Sequence, residues 1–206
     1  MLDLLLQLIM NEVEKTLKEF PFKLILGSAS PRRQELLKSL GFDFLIKPTH
    51  ADETFPADLK AQEIPIYLAE KKADAYPDEL KETEILITSD TIVWCDGKVL
   101  NKPVNFLEGK QMLETLSGKM HEVYTAVCLK SGNKQTTFFD VSKVYFKKLK
   151  TEEIEYYLTN YSPYDKAGGY GVQDWIGYIG IDKIDGSFYN VMGLPVKELY
   201  EELIKF

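Results

Sequence analysis

Residues 27–33, a run of small and basic residues, have the composition of an anion-binding turn. An apolar run precedes them, and Ser30 followed by Pro31 is typical of the N-cap and first residue of a helix. Free backbone N–H groups and the helix dipole favour negative charge at such a helix start. Arg32 and Arg33 add planar donors that suit phosphate oxygens. The alternative is an ordinary capped helix with two solvated arginines.

A second candidate site is Ser89-Asp90-Thr91, which directly follows an apolar run at residues 85–87. Open α/β sheets bind their ligands beyond the carboxyl ends of the strands. A carboxylate there is costly to bury unless it meets a cation or water. Asp90 could therefore hold a magnesium ion, take a proton from water, or do both. The alternative is an Asx-type turn residue.

A third candidate is the glycine-rich stretch at residues 164–173, in which three glycines lie beside Asp165, Lys166 and Gln173. This composition predicts a tight loop against a ligand, with a structural turn as the alternative. Gln173 can both donate and accept hydrogen bonds, which suits the edge of a nucleotide base.

Three isolated charged residues have no local pattern that assigns them to a site. Lys72 and Lys102 are by default solvated lysines, and Glu53 lies in a polar loop. Lys102 comes just after an Asp-Gly hairpin turn, so the chain could fold back and bring it toward Asp90.

Strand and helix patterns alternate along the chain, with hairpins that interrupt the alternation. Apolar runs bounded by turn residues predict strands at residues 23–27, 42–47, 85–93, 121–130, 135–147 and 176–184. Amphipathic spacing and capping residues, including Thr151 as an N-cap, predict helices at residues 31–40, 64–76, 105–116, 151–158 and 195–206. We therefore expect an α/β fold built on a mixed β-sheet.

The charge balance excludes some classes of partner. The net charge is −7 over 206 residues, which argues against coating a nucleic acid polymer, although a local basic pocket remains compatible with it. The two cysteines and two histidines fall into no metal-ligand spacing, so we expect no structural zinc site. Buried, unpaired cysteines fit a reducing compartment such as the cytoplasm.

Residues 1–22 are predicted to be a helical N-terminal extension that precedes a domain at residues 23–206. Residues 2–9 are apolar, but the run is too short to span a bilayer, so no membrane partner is expected. Two interpretations stay open. Residues 4–20 form an amphipathic helix that docks on the body or a partner, or the segment is an upstream extension before a natural start at Met10.

Six motifs, taken in order, resemble the Maf family of nucleotide pyrophosphatases from about residue 23 to the end of the chain. The motifs are Ser-x-Ser-Pro-Arg-Arg-x-Glu-Leu-Leu, Ser-Asp-Thr, Lys-Pro, Leu-Ser-Gly with a following His and Thr, Asp-Lys-Ala-Gly-x-Tyr-Gly-x-Gln, and Gly-Ser-x-x-x-Val-x-Gly-Leu-Pro. Two features depart from the pattern. Asn101 stands where many members have Glu before Lys-Pro, which removes a metal-side carboxylate, and the N-terminal extension has no counterpart.

The resemblance implies an elongated mixed β-sheet with flanking helices and a central cleft between two lobes, similar to inosine-triphosphate pyrophosphatases. It implies that a nucleoside triphosphate is cleaved between its α- and β-phosphates with Mg²⁺ or Mn²⁺, in a protein that often forms a homodimer. The implied roles are Asp90 as the catalytic residue, Ser28, Ser30, Arg32, Arg33, Lys72 and Lys102 as phosphate ligands, and Asp90 and Glu53 as metal ligands.

The family divides by substrate, and Arg32, Thr91 and Gln173 match the group that acts on dTTP and UTP rather than on 7-methyl-GTP. Uracil and thymine present two carbonyl acceptors around one N–H, an edge that Gln173 can pair with and Thr91 can supplement. Three other functions remain as alternatives. They are a nucleotide-binding regulator of septum formation without turnover, a family member that acts on 7-methyl-GTP, and a nucleotidyltransferase.

Overall fold

The computed structural model describes Leu17 and residues 19–206, so most of the predicted helical extension lies outside the described residues. The strands are β1 (Lys23–Leu26), β2 (Phe44–Ile46), β3 (Glu84–Cys95), β4 (Lys98–Leu100), β5 (Met120–Lys130), β6 (Gln135–Phe146) and β7 (Ile181–Asp185). The helices are α1 (Pro31–Ser39), α2 (Glu63–Asp74), α3 (Phe106–Leu116), α4 (Thr151–Tyr161), α5 (Trp175–Gly180), α6 (Phe188–Met192) and α7 (Val196–Lys205). Among the described helices, none has the length and apolarity that crossing a membrane would require.

The seven strands form one mixed sheet in the order β2-β1-β3-β5-β6-β7, with β4 paired to β3 off this path. β1 runs parallel to both β2 and β3. The pairs β3–β4, β3–β5, β5–β6 and β6–β7 are antiparallel. The predicted α/β fold on a mixed sheet flanked by helices is therefore confirmed.

One edge of β3 is covered by two different strands with a gap between them. β1 pairs with residues 84–87 of β3, and β4 pairs with residues 93–95. On the other edge, β5 runs alongside β3 from residue 86 to residue 94. Residues 88–92 thus have no partner on the first edge among the described strands. A gap of this kind leaves backbone groups that something other than a strand must satisfy.

Side chains of β3 alternate between the two faces of the sheet, as the two-residue period of a strand requires. Leu86 packs with buried residues of α2, whereas Ile85 and Ile87 pack with buried leucines of α1 and α7. Each fully buried Leu or Ile stabilises this arrangement by roughly 1.5–3 kcal/mol. The same alternation directs Asp90 toward the α2 face and Thr91 toward the α1 face.

The strand predicted at residues 176–184 is wrong in its first half, because Trp175–Gly180 form α5 and β7 begins at Ile181. A short apolar run fits a strand or a buried helix equally well. Here the helix buries Ile176 and Gly180, four residues apart, and leaves Tyr178 exposed.

Two other helices differ from the prediction. The N-cap of α4 is Lys150 rather than Thr151, and the Glu153 carboxylate accepts the Lys150 N–H at 2.9 Å. Helix α6 was not predicted, since it has only five residues; the Ser187 side chain caps it by accepting the Asn190 N–H at 3.3 Å.

The glycine-rich loop predicted at residues 164–173 contains a 3₁₀ turn, Ala167–Gly169, in which Gly168 has φ +67°. A Cβ at Gly168 would lie 3.0 Å from Val93 Cγ2.

We expect Gly168→Ala to lower the free energy of unfolding by about 3 kcal/mol, because the strain of a left-handed backbone and the overpacking against Val93 add. Gly97 has φ +75° with no described atom within 4 Å of its added Cβ. Gly97→Ala is therefore the matched control, with a loss of about 1 kcal/mol from strain alone. Urea denaturation measures both, and equal losses would contradict the packing argument.

Candidate functional site

A cleft of about 430 Å³ opens at the gap in β3. Its lining comes from the turn before α1, from α2, from the chain after β4, from the glycine-rich loop and from the residues just after α6. All the site residues predicted from the sequence line this one cleft: Ser28, Ser30, Arg32, Arg33, Glu53, Lys72, Asp90, Thr91, Lys102 and Gln173. The fold therefore brings together side chains that are far apart in the sequence, while their chemical roles stay predictions.

The cleft is locally basic within an acidic chain. Five cationic side chains line it, namely Arg32, Arg33, Lys72, Lys102 and Lys166. Three acidic side chains also line it, namely Glu53, Asp90 and Asp165, which leaves an excess of two positive charges. The whole chain has a net charge of −7, so this excess is a property of the cleft rather than of the surface. Such a site favours a polyanion of small size.

Asp90 is buried, and its Oδ1 atom accepts a hydrogen bond from Lys72 Nζ at 2.6 Å. Burial raises the pKa of Asp90 above its usual value, and the positive charges of Lys72 and Arg33 oppose that shift. The Oδ2 atom of Asp90 forms no hydrogen bond with a residue that the structure describes. Asp90 therefore presents one oxygen to the cleft while the other is held by a lysine.

Glu53 links two lysines in the cleft. Its Oε1 atom accepts from Lys72 Nζ at 2.9 Å, and its Oε2 atom accepts from Lys102 Nζ at 2.7 Å. Partial burial acts to raise the pKa of Glu53, but the hydrogen bonds from Lys102 and Lys72 dominate and lower it to about 2. Lys102 does fold back toward the site after the Asp96-Gly97 turn, and the group it contacts there is Glu53.

Arg33 is held by the protein through three of its nitrogen atoms. Its Nε donates to Gly193 O at 2.9 Å, its Nη1 to Ser89 O at 2.8 Å, and its Nη2 to Thr91 Oγ1 at 3.1 Å. Ser89 O lies in the gap of β3, so the guanidinium replaces the missing strand there. Burial lowers the pKa of Arg33, and the charge of Asp90 opposes that shift. Because a guanidinium has five N–H groups, two remain for a phosphate.

Arg32 contacts the glycine-rich loop across the cleft. Its Nη1 atom donates to Asp165 Oδ2 at 2.9 Å, and Lys166 Nζ donates to Asp165 Oδ1 at 2.8 Å. Hydrogen bonds from Lys166 and Arg32 lower the pKa of Asp165, although burial alone would raise it. The sequence identified the loop but not this pair, whose partners are separated by 133 residues.

The turn before α1 has the small residues that close approach requires. A Cβ at Gly27 would lie 2.8 Å from Thr88 Cγ2, so a larger residue does not fit. Ser28 Oγ accepts the Ser30 N–H at 3.2 Å. Ser30 stands at the N-cap position of α1, but within the described chain its side chain makes no capping hydrogen bond. Helix-start N–H groups are therefore available to a bound anion.

The two residues expected to read the base differ in their bonding. Gln173 lines the cleft, and its Oε1 atom is buried without a hydrogen-bond partner among the described residues. Thr91 Oγ1 accepts from Arg33 and also contacts Thr125 Oγ1 at 3.0 Å. Thr91 thus already has two protein partners, which the sequence did not predict.

The donor set fits a divalent cation that is shared with a substrate. No cluster of three or more His, Cys, Asp or Glu residues able to hold a metal occurs within the described chain. Mg²⁺ usually retains waters and takes one or two carboxylates plus substrate phosphates. Asp90 Oδ2 is the available oxygen, and the Glu53 carboxylate has lone pairs beyond those used by its two lysines.

A family model and the sequence relatives of this chain indicate one family. A family model described as Maf-like protein matches residues 23–206. The chain is 52% identical over 185 residues to the dTTP/UTP pyrophosphatase of Bacteroides thetaiotaomicron, a match that covers 89% of this chain and 96% of that protein. It is 51% identical over 182 residues to the dTTP/UTP pyrophosphatase of Flavobacterium johnsoniae, covering 88% and 94%. Among solved structures, the Staphylococcus aureus Ham1 protein matches with a TM-score of 0.43 and 11% identity, over 60% of this chain and 71% of that chain.

The low pKa of Glu53 has a consequence for stability. A carboxyl group whose pKa is lower in the folded state stabilises that state above its unfolded pKa of 4.5, and the effect is lost as pH falls toward about 2. We expect Glu53→Gln to lower the melting temperature at pH 7, and the difference from wild type to disappear between about pH 4.5 and pH 2. Thermal melts of both proteins over this range measure it. A difference that stays constant with pH would contradict the ion-pair interpretation.

Proposed function

We propose that this chain, which belongs to the Maf family, hydrolyses dTTP and UTP to the monophosphate and pyrophosphate. The observation that supports this most strongly is the cleft itself. It places a buried carboxylate, Asp90, beside Lys72 and Arg33 at a gap in the sheet. Relatives of this chain at about half identity are dTTP/UTP pyrophosphatases.

Binding of the triphosphate is an exchange of partners. Lys72 and Lys102 are paired with Glu53, and Arg32 is paired with Asp165. Phosphate oxygens compete with these carboxylates for the same N–H donors. Because Arg33 is fixed by backbone carbonyls, it offers its remaining N–H groups without rearrangement. Such fixed donors stabilise charge that develops on phosphate oxygens.

In the chemical step, water attacks the α-phosphorus, the new O–P bond forms, and the bond to the bridging oxygen of the β-phosphate breaks. The proton of the water passes to the Asp90 carboxylate, and pyrophosphate leaves with the bond electrons. Burial raises the pKa of Asp90, which makes its carboxylate a stronger proton acceptor than an exposed one. Lys72, bonded to Oδ1, holds the carboxylate in place for this transfer.

A Mg²⁺ or Mn²⁺ ion, held by Asp90 and Glu53 together with the phosphates, would neutralise charge on the phosphate oxygens. Two positive charges in excess in the cleft fall short of balancing a triphosphate, which makes a further cation useful.

Selection of the base is proposed for Gln173, whose Oε1 lacks a partner. This acceptor suits the N–H of uracil or thymine, while the amide donor of the same side chain suits a neighbouring carbonyl. Cytosine has an acceptor where uracil has its N–H, so it would leave buried polar groups unpaired.

Both cysteines are free thiols in the described chain, and we propose the cytoplasm as the working compartment.

The wild-type protein with Mg²⁺ or Mn²⁺ should convert dTTP and UTP to the monophosphate and pyrophosphate. Asp90→Asn should lower kcat by about 10²-fold or more, because the amide cannot accept the proton. Asp96→Asn is the control, since Asp96 lies in a surface turn paired with Lys119. Product analysis by ion-exchange chromatography measures both. Release of orthophosphate and a diphosphate, or near-normal turnover of Asp90→Asn, would overturn the assignment, and nucleotide binding without turnover would favour a regulatory protein.

The ranking of bases should depend on Gln173. We expect kcat/KM to rank dTTP and UTP above CTP, the purine triphosphates and 7-methyl-GTP. Gln173→Met should reduce the preference for UTP over CTP by about 10-fold, on the scale of one unpaired buried group. Gln135→Met, on an exposed position of β6, is the control. Indifference of the wild type to the base would contradict this role while leaving the hydrolysis intact.

A further inference from the structure

The Thr that follows Leu-Ser-Gly and His in the sequence motif is Thr125, and the mechanism above gives it no role. Thr125 is buried on β5, directly opposite Thr91 in the β3–β5 ladder. Its Oγ1 lies 3.0 Å from Thr91 Oγ1 and donates to Asn190 O at 2.9 Å. Thr91 Oγ1 in turn accepts from Arg33. A continuous chain of hydrogen bonds therefore connects Arg33 with the backbone of α6.

The direction of these hydrogen bonds follows from counting protons. A backbone carbonyl can only accept, so the single hydroxyl proton of Thr125 is used on Asn190 O. The contact between the two threonines must then use the proton of Thr91. Thr91 is left with lone pairs alone, one of which accepts from Arg33 Nη2. Thr125 thereby fixes Thr91 as a hydrogen-bond acceptor for the guanidinium.

A second route connects the same anchor to Arg33. Asn190 is buried, and its Nδ2 atom donates to Val123 O at 3.0 Å and to Ser142 Oγ at 2.9 Å, which ties α6 to β5 and β6. Asn190 O also accepts the Gly193 N–H at 2.9 Å. Gly193 O is the acceptor for Arg33 Nε. Two of the three contacts that hold Arg33 thus depend on Asn190.

We propose that Thr125 is a positioning residue for the phosphate site. It contacts neither the cleft nor the substrate, and it acts by orienting the Thr91 hydroxyl so that Arg33 stays aimed at the phosphates. This role rests on the proposed function, in which Arg33 binds the triphosphate. Residues that act through one another are non-additive when both are changed, which makes the role measurable.

The experiment is a double-mutant cycle on Thr91 and Thr125 in the full chain. Thr91→Val, Thr125→Val and the double variant are compared with wild type in two measurements. One is kcat/KM for dTTP, and the other is the affinity for inorganic tripolyphosphate measured by calorimetry. Thr125→Val should lower both by about 10-fold, on the scale of one hydrogen bond to a charged group. The double variant should be no worse than Thr91→Val alone.

Two further variants separate positioning from stability. Thr125→Ser keeps the hydroxyl and should stay within about 2-fold of wild type. Thr115→Val removes a hydroxyl that donates to Gln111 O at 2.7 Å on α3, outside the cleft and away from Arg33, and should also stay within about 2-fold. Thr125→Cys, with its weaker thiol, should lie between Ser and Val and replaces Thr125→Val if that variant fails to fold.

Losses that multiply in the double variant, or a Thr125→Val protein with wild-type affinity, would overturn the proposal. If the wild type does not hydrolyse dTTP but binds tripolyphosphate with the non-additive pattern, the proposed function fails and the positioning role stands. If the wild type hydrolyses dTTP and the losses multiply in the double variant, the proposed function stands and the positioning role of Thr125 fails. A wild type that neither hydrolyses dTTP nor binds tripolyphosphate overturns both.

Discussion

The hydrogen bond from Arg33 to Ser89 O is the interaction on which the site depends. β3 is paired on one edge first by β1 and then by β4, and between them its backbone would face the cleft with an unsatisfied carbonyl. A guanidinium supplies the missing donor and at the same time places a fixed positive charge there. Arg33 therefore satisfies the backbone at the gap in β3, and the same side chain is suited to bind an anion in the cleft that the gap creates.

The two faces of β3 place neighbouring site residues in different surroundings. Asp90 lies on the face covered by α2, where Lys72 reaches it, and Thr91 lies on the face covered by α1 and α6, where Arg33 reaches it. Adjacent residues of one strand therefore face different chemical surroundings without any loop between them. A strand interior is also more rigid than a loop, which suits the role in proton transfer that we propose for Asp90.

Features with local signals were predictable from the sequence. The apolar run of β3, the Ser30-Pro31 helix start and the Asp96-Gly97 turn each depend on a few neighbouring residues, and all three occur. The run at residues 176–184 was misassigned because its composition satisfies both a strand and a buried helix.

The bonding inside the cleft was not predictable in the same way. The Arg32–Asp165 pair joins residues 133 positions apart, and nothing near either residue indicates its partner. Arg33 and Thr91 were expected to face a ligand, and both have protein partners as well, because the carbonyls of Ser89 and Gly193 lie within reach only after the sheet has formed.

The contrast between a basic cleft and an acidic chain affects how a nucleotide would arrive. At long range a polyanion meets a molecule of net charge −7, so the average field repels it. The charged side chains that line the cleft are positive in excess, and at physiological ionic strength charges separated by more than the Debye length of about 8 Å are largely screened from one another. Added salt therefore weakens the distant repulsion as well as the local attraction. Encounter would respond to ionic strength much less steeply than it does for a uniformly basic protein.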